Sequence, residues 1–290
     1  MTRTASALVV VADDFGASPG TNAGIAAAYQ RGMVTAAALM VGLPHTATAA
    51  ALARDTGLAV GLHLRLSAGP ALTKDAIRAG LATEDGFRPL PAVLGRLFYV
   101  RQPVRDAIRA EVRAQMEALL DLVDSPDHVN AHHHLHLHPA VLDIVLEEAV
   151  AHGFPAVRWP AEPWWGRGSI RRAPEAWALR LLAAWGRGQL ARSGLRTSDH
   201  FRGLRLMGRH LTPDALIATL RALPPGTTEL MCHPARPDDE LARFTSYTGD
   251  RAVELATLTD PRVLQAVEEQ GIVLTTHGQW TNGQMDENCA

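Results

Sequence analysis

The chain has 290 residues, of which 47% are hydrophobic and 20% charged, and a formal net charge of −2. That length and apolar content suit one large α/β domain with ample material for a core, and the near-neutral balance leaves no basic footprint for nucleic acid. Cys232 and Cys289 stand far apart without C-x-x-C spacing, so neither a disulfide framework nor a thiolate metal site is indicated.

Ala7 to Ala12 is a continuous apolar run ending in Asp13-Asp14-Phe15-Gly16, the pattern of a parallel strand buried on both faces. A helix follows near Thr21 to Arg31, closed by Gly32. The grammar repeats with a strand at Thr35 to Val41, a helix at Thr46 to Asp55, and a strand at Leu58 to Leu66 that carries His63. Residues 67 to 103 lack periodicity and read as a long loop or insertion over one end of the fold. Pro103 to Val123 is an amphipathic helix, with Val104, Ile108, Val112, Met116 and Leu119 on one stripe.

The most unusual stretch comes next, His128-Val129-Asn130-Ala131-His132-His133-His134-Leu135-His136-Leu137-His138. As a strand it sets His128, Asn130, His132, His134, His136 and His138 on one face, because successive side chains alternate. So many imidazoles, each carrying a donor and an acceptor, point to a metal or acid/base site rather than to a core. A helix is expected from Pro139 to His152, a short fifth strand from Ala156 to Trp159, and a helix from Pro174 to Arg192 whose Trp177 and Trp185 read as core. A sixth strand near His200 to Leu204, a helix from Thr212 to Leu223, and a seventh strand from Thr228 to Cys232 lead into His233-Pro234. Helices around Asp250 to Leu258 and Pro261 to Gln270 and a strand from Ile272 to Thr276 complete the pattern. His45, His152, His210 and His277 are read as structural.

Seven or eight strands alternating with helices predict an irregular (β/α) barrel, with residues 1–280 as a single domain and 281–290 as a loose tail. A doubly wound open sheet is the runner-up, and no glycine-rich nucleotide loop supports it. In a barrel the chemistry sits at the carboxyl ends of strands, where Asp13, Asp14, His63, the His run, Arg158 and His233 all fall. Asp plus two His suits Zn²⁺ or a similar divalent ion. With two adjacent carboxylates, one can bind the ion while the other takes a proton from water. Strand geometry alone does not choose between His132 and His134.

Ala12-Asp13-Asp14-Phe15-Gly16 with Ser18-Pro19-Gly20-Thr21-Asn22-Ala23-Gly24-Ile25, Gly61-Leu62-His63-Leu64, His132-His133-His134-Leu135-His136 and Cys232-His233-Pro234 together resemble the YdjC-like carbohydrate deacetylases. The resemblance implies a barrel related to the polysaccharide deacetylases and one divalent ion, zinc or magnesium, held by Asp14, His63 and His132. It further implies Asp13 as general base and His233 as acid or transition-state contact. The substrate would be an acetylated amino sugar or glycolipid, with Arg158, His134, His136, Trp164 and Trp165 as candidate binding residues. Ala235 departs from a glycine common in the family.

A narrower similarity, in Val157-Arg158-Trp159-Pro160-Ala161-Glu162-Pro163, Asp199-His200-Phe201-Arg202-Gly203-Leu204 and Leu223-Pro224-Pro225-Gly226, is to the hopanoid biosynthesis-associated HpnK branch. It implies an N-acetylglucosaminyl hopanoid as substrate, met by apolar loop surface at Leu90, Leu94, Leu97, Phe98, Tyr99, Trp164 and Trp165. Trp159 departs from that branch's leucine. The alternatives are a deacetylase of chitooligosaccharides or another small N-acetyl sugar, another metallohydrolase such as an esterase, and a non-catalytic metal- or sugar-binding protein. With no run of about 18 apolar residues to span a bilayer, the expected location is cytoplasmic, with room for peripheral contact at the inner membrane surface and for a homodimer.

Overall fold

The computed structural model describes residues 6–98, 101–163 and 168–281. Its organising element is β1 (Ser6–Phe15), in which all ten residues are buried. The other strands are β2 (Ala36–Leu39), β3 (Ala59–Leu64), β4 (Ala82–Thr83), β5 (Gly86–Phe87), β6 (Val129–Ala131), β7 (His200–Arg202), β8 (Gly226–Cys232) and β9 (Val273–Thr275). β4 and β5 form a separate antiparallel pair. The remaining seven make one sheet of order β6-β3-β2-β1-β8-β7, with β9 also paired to β1. Every pair in it is parallel. β8 runs along Ser6 to Ala12 of β1, while β9 (beside Ala7 to Val9) and β2 (beside Val11 to Phe15) share the opposite edge.

Single bridges Val129↔Val157 and Ala156↔Arg196 connect the region between β6 and β7, so the sheet curls into an irregular barrel as expected. The expected fifth strand is reduced to those two bridges. Because side chains alternate, Leu8, Val10 and Ala12 join the main core beneath the helices. Val9 and Val11 instead pack with Ala36 and Ala38 in a small separate cluster, on the side that carries Asp13.

The helix Pro19–Arg31 starts where Ser18 Oγ accepts the Thr21 amide at 3.0 Å, with proline in the first turn. Its glycines bring the chain after β8 into contact. A Cβ on Gly20 would lie 1.9 Å from the Arg236 carbonyl oxygen, and one on Gly24 would lie 2.4 Å from Ala235 Cα. The Ser-Pro-Gly-Thr-Asn-Ala-Gly motif thereby clamps the segment that follows His233.

Residues 67 to 103 differ from the loop expected there. They hold helices Lys74–Arg78 and Leu90–Phe98 and the β4–β5 pair. Leu97 is buried and Leu90 and Leu94 pack half-buried against the core, so these leucines do not form the exposed apolar surface expected of them. Tyr99 and the Phe98 side chain lie outside the described residues.

Trp177 and Trp185, expected in the core, are instead exposed, 52% each. The helix Ala173–Ser193 turns Ala176, Leu179, Ala183, Gly186 and Leu190 inward. A Cβ on Gly186 would come within 2.4 Å of Leu142, so close packing selects small inner residues and leaves the tryptophans outside. The expected tail lies, from residue 282 on, outside the described residues.

Candidate active site

A regular strand would send the Asp13 and Asp14 carboxylates to opposite faces. Asp14 instead has φ 65°, a left-handed conformation uncommon outside glycine, and pairing with β2 shifts between Ala12 and Phe15. Both carboxylates consequently line one cavity of about 310 Å³, together with His63, His132, His133, His134, His233 and Arg251.

The His run leaves the sheet after Ala131 and turns through a short 3₁₀ segment, His132–Leu137, in which His133 and His134 have φ 56° and 54°. His128, Asn130, His132, His134, His136 and His138 therefore do not share a strand face as expected. His132 turns toward Asp14 and His63. His133 Nδ1 lies 3.0 Å from Ser67 Oγ, and His134 packs edge-on to Phe201 at the cavity wall. His136 is fully buried and donates through Nε2 to the Arg158 carbonyl at 2.9 Å.

Three ligand atoms converge. Asp14 Oδ1 is 3.3 Å from His63 Nε2 and 3.3 Å from His132 Nδ1, and those two nitrogens are 3.3 Å apart. A tetrahedral ion with bonds of 2.0–2.1 Å has ligand atoms about 3.3 Å apart, so the triangle has the dimensions of one face of such a site. Asp14 Oδ1 is buried and makes no hydrogen bond, an arrangement that otherwise costs free energy. The residues thus fit a divalent ion with hard-to-borderline preferences. His63 Nδ1 donates to Asn130 Oδ1 at 2.6 Å, which aims Nε2 at the triangle in the manner of second-layer partners of metal-binding histidines.

Asp13 stands beside the triangle without joining it. Arg158 grips it with Nη1 on Oδ2 at 2.5 Å and Nη2 on Oδ1 at 2.9 Å, and Asn130 Nδ2 donates to Oδ1 at 3.0 Å. Burial alone would raise the Asp13 carboxyl, but the Arg158 guanidinium overrides it and holds the group well below the usual carboxylate range. Asp14 is treated alike, burial being outweighed by Arg251, whose Nη2 donates to Oδ2 at 2.6 Å. Burial would lower His63, yet Asp13 and Asp14 raise it above its ordinary value.

Arg158, a candidate substrate contact by sequence, is fully buried behind Asp13 and reaches Glu229 Oε1 through Nε at 2.5 Å. Glu229 continues to His277 Nε2 at 3.3 Å. The His277 ring lies against His128 with centroids 5.1 Å apart, and His128 Nδ1 meets Asp127 Oδ2 at 2.9 Å. A buried polar column therefore runs from the cavity floor through the barrel.

His233 lines the cavity with Nε2 3.9 Å from Asp13 Oδ2. Its backbone N–H donates to Glu254 at 2.5 Å. Glu254 also takes the Tyr247 hydroxyl and the Gly208 amide, fixing the end of β8. Burial pushes the His233 imidazole down to about 3, against the pull of Asp14 and Asp13, so the neutral ring is the resting form. Trp164 and Trp165 lie outside the described residues.

Sequence reasoning assigned no role to Asn130, Arg251, Glu254, Tyr247 or Glu229. Asn130 carried a signal, standing two residues before His132 in the His run. The others sit in β8 or on distant helical and loop segments, and only folding brings them to the site.

The profile of the family described as YdjC-like protein matches residues 7–269. The chain belongs to that family. Relatives of this YdjC-like protein include a carbohydrate deacetylase of Geobacillus stearothermophilus, 34% identical over 94% of this chain and 97% of the relative. Another is a carbohydrate deacetylase of Mus musculus, 34% identical over 92% of each chain. A crystal structure from Enterococcus faecalis V583, provisionally assigned to cellobiose-phosphate cleavage, matches the YdjC-like chain with a TM-score of 0.76. It is 24% identical over 96% of this chain and 99% of that one, a likeness of fold alone.

Proposed function

We propose that this protein is a carbohydrate deacetylase that hydrolyses the acetamide of an N-acetylated amino sugar with the help of one divalent ion, zinc or magnesium. The observation that carries the proposal is the Asp13 carboxylate, ionised, gripped by Arg158 and Asn130, and set beside the Asp14-His63-His132 triangle in one cavity. A protein that only bound a metal would need Asp14 and not this second, unligated carboxylate. An ion held by Asp14, His63 and His132 would polarise the acetyl carbonyl and acidify water as a Lewis acid.

Asp13 accepts the proton released as water attacks and returns it to the leaving amine, giving acetate and the free amino sugar. Arg158 and Asn130 keep its oxygens fixed through both transfers. His233, neutral at rest, supports the contact role rather than that of a standing acid, since its ring lies within 3.9 Å of Asp13 and lines the same cavity. The cavity, about 310 Å³, is at the small end for ligand sites and suits one amino sugar with its acetamide.

The substrate proposed is a lipid-linked amino sugar, the N-acetylglucosaminyl headgroup of a hopanoid, supported by the sequence similarity around Arg158 and His200. Acetate release should be measured over a panel of N-acetylated glycolipids and free sugars with the wild type and Asp13→Asn. Release lost in Asp13→Asn supports the activity, and none from any substrate overturns it. Preference for free chitobiose-like sugars would replace the glycolipid by chitooligosaccharides.

A further inference from the structure

We propose that the outward face of the helix Ala173–Ser193, with Ile170 before it, docks on an anionic membrane surface. Ile170 is 81% exposed, Trp177 and Trp185 52% each, and Leu181 49%. At about 100° per residue, Trp177, Leu181 and Trp185 fall on one stripe, and the exposed Ala178, Ala184 and Gly188 fill it, for an apolar arc of roughly 120°. Isolated exposed apolar residues are ordinary; a continuous row over several turns, with two tryptophans, marks an interaction surface. The helix is apolar on both faces, and its inner face is already covered by the core.

Charge decides what covers the outer one. Arg180 and Arg187 line one edge of the stripe, Arg171 and Arg172 stand at its start and Arg192 in its last turn. Glu175 is the one acidic residue in the helix, and it is paired with Arg172 at 2.9 Å. A second copy of the chain related by a two-fold axis would set this cationic rim against itself, whereas an anionic lipid surface takes the arginines at headgroup depth and the Trp and Leu side chains just below. No described helix is long and apolar enough to cross a membrane, so the contact is peripheral. Arg172 and Glu175, where the helix begins, line the catalytic cavity, and docking therefore brings the cavity close to the bilayer. The docking itself rests on this surface; the proposed glycolipid substrate only gives it a use.

The test is co-sedimentation of the full chain with phosphatidylcholine vesicles, with and without about one third phosphatidylglycerol. Trp177→Ser/Trp185→Ser and Arg187→Glu serve as variants, with sedimentation equilibrium run in parallel. The expected result is binding to the anionic vesicles only, weakened by salt, and at least about tenfold weaker in both variants, while acetate release from a soluble N-acetyl sugar is unchanged. Absence of binding to anionic vesicles, binding indifferent to both variants, or a lipid-free dimer that the double substitution dissociates overturns the proposal. Absence of acetate release with vesicle binding intact would count against the catalytic reading alone.

Discussion

Arg158 holds Asp13 by both terminal nitrogens, at 2.5 and 2.9 Å, from a position with no exposure of its own. A two-pronged contact fixes the plane of the carboxylate as well as its place, which a lysine ammonium cannot do. Arg158→Lys should therefore lower kcat by about 10- to 100-fold while metal content stays at the wild-type level. Steady-state kinetics beside metal analysis checks this, and a loss of metal in the variant would reassign Arg158 to the ligand support.

The two neighbouring aspartates should separate cleanly. Asp13→Asn is expected to keep its metal and lose about 10² to 10⁴ in turnover, as removal of a general base does. Asp14→Asn and His63→Ala should lose the ion as well, because the triangle has no spare member. Metal analysis of the three purified variants decides it: equal metal content in all three contradicts the division.

His233, pushed down to about 3 by burial, is neutral across the working range. His233→Ala should lower kcat yet leave both limbs of the pH–rate profile where the wild type has them. A limb that disappears in the variant would show that a protonated His233 donates the leaving group's proton.

The polar column predicts a dependence of stability on pH. Burial would raise Glu229 and Asp127, but Arg158 brings Glu229 down to about 2 and His128 brings Asp127 down to about 2, from ordinary values of 4.5 and 3.8. Their stabilisation is full above the ordinary values and is lost as pH falls through the folded ones, between about 4.5 and 2. His277, raised by Glu229 against burial, contributes oppositely: fully below 6.5, and lost as pH rises through its folded value. Glu229→Gln should cost roughly 3–5 kcal/mol near neutrality by leaving buried charge uncompensated, and its Tm deficit should shrink toward pH 2. Thermal unfolding across pH 2–8 measures both, and a constant deficit would exclude the linkage.

The order of strands and helices was legible in the chain because it depends on local rules. Continuous apolar runs such as Ala7 to Ala12 make strands buried on both faces, and glycines such as Gly32 and Gly57 close helices. The chemical classes at the site were legible too, since Asp13-Asp14 and the His run are costly to bury without a use. Strand alternation, however, does not describe the His run, which leaves the sheet at His132, and helical spacing does not show that the helix Ala173–Ser193 carries its tryptophans outward. Backbone conformation at Asp14, His133 and His134 is set by packing over long range and leaves no periodic trace in the sequence. Strand geometry leaves His132 and His134 equivalent, the family resemblance names His132, and that turn is what sets His132 beside Asp14 and His63. Arg158 and Arg251 stand 145 and 237 residues from the carboxylates they hold. Charges separated so far along the chain pair only where the curled sheet excludes water around them, and that environment exists only in the folded barrel.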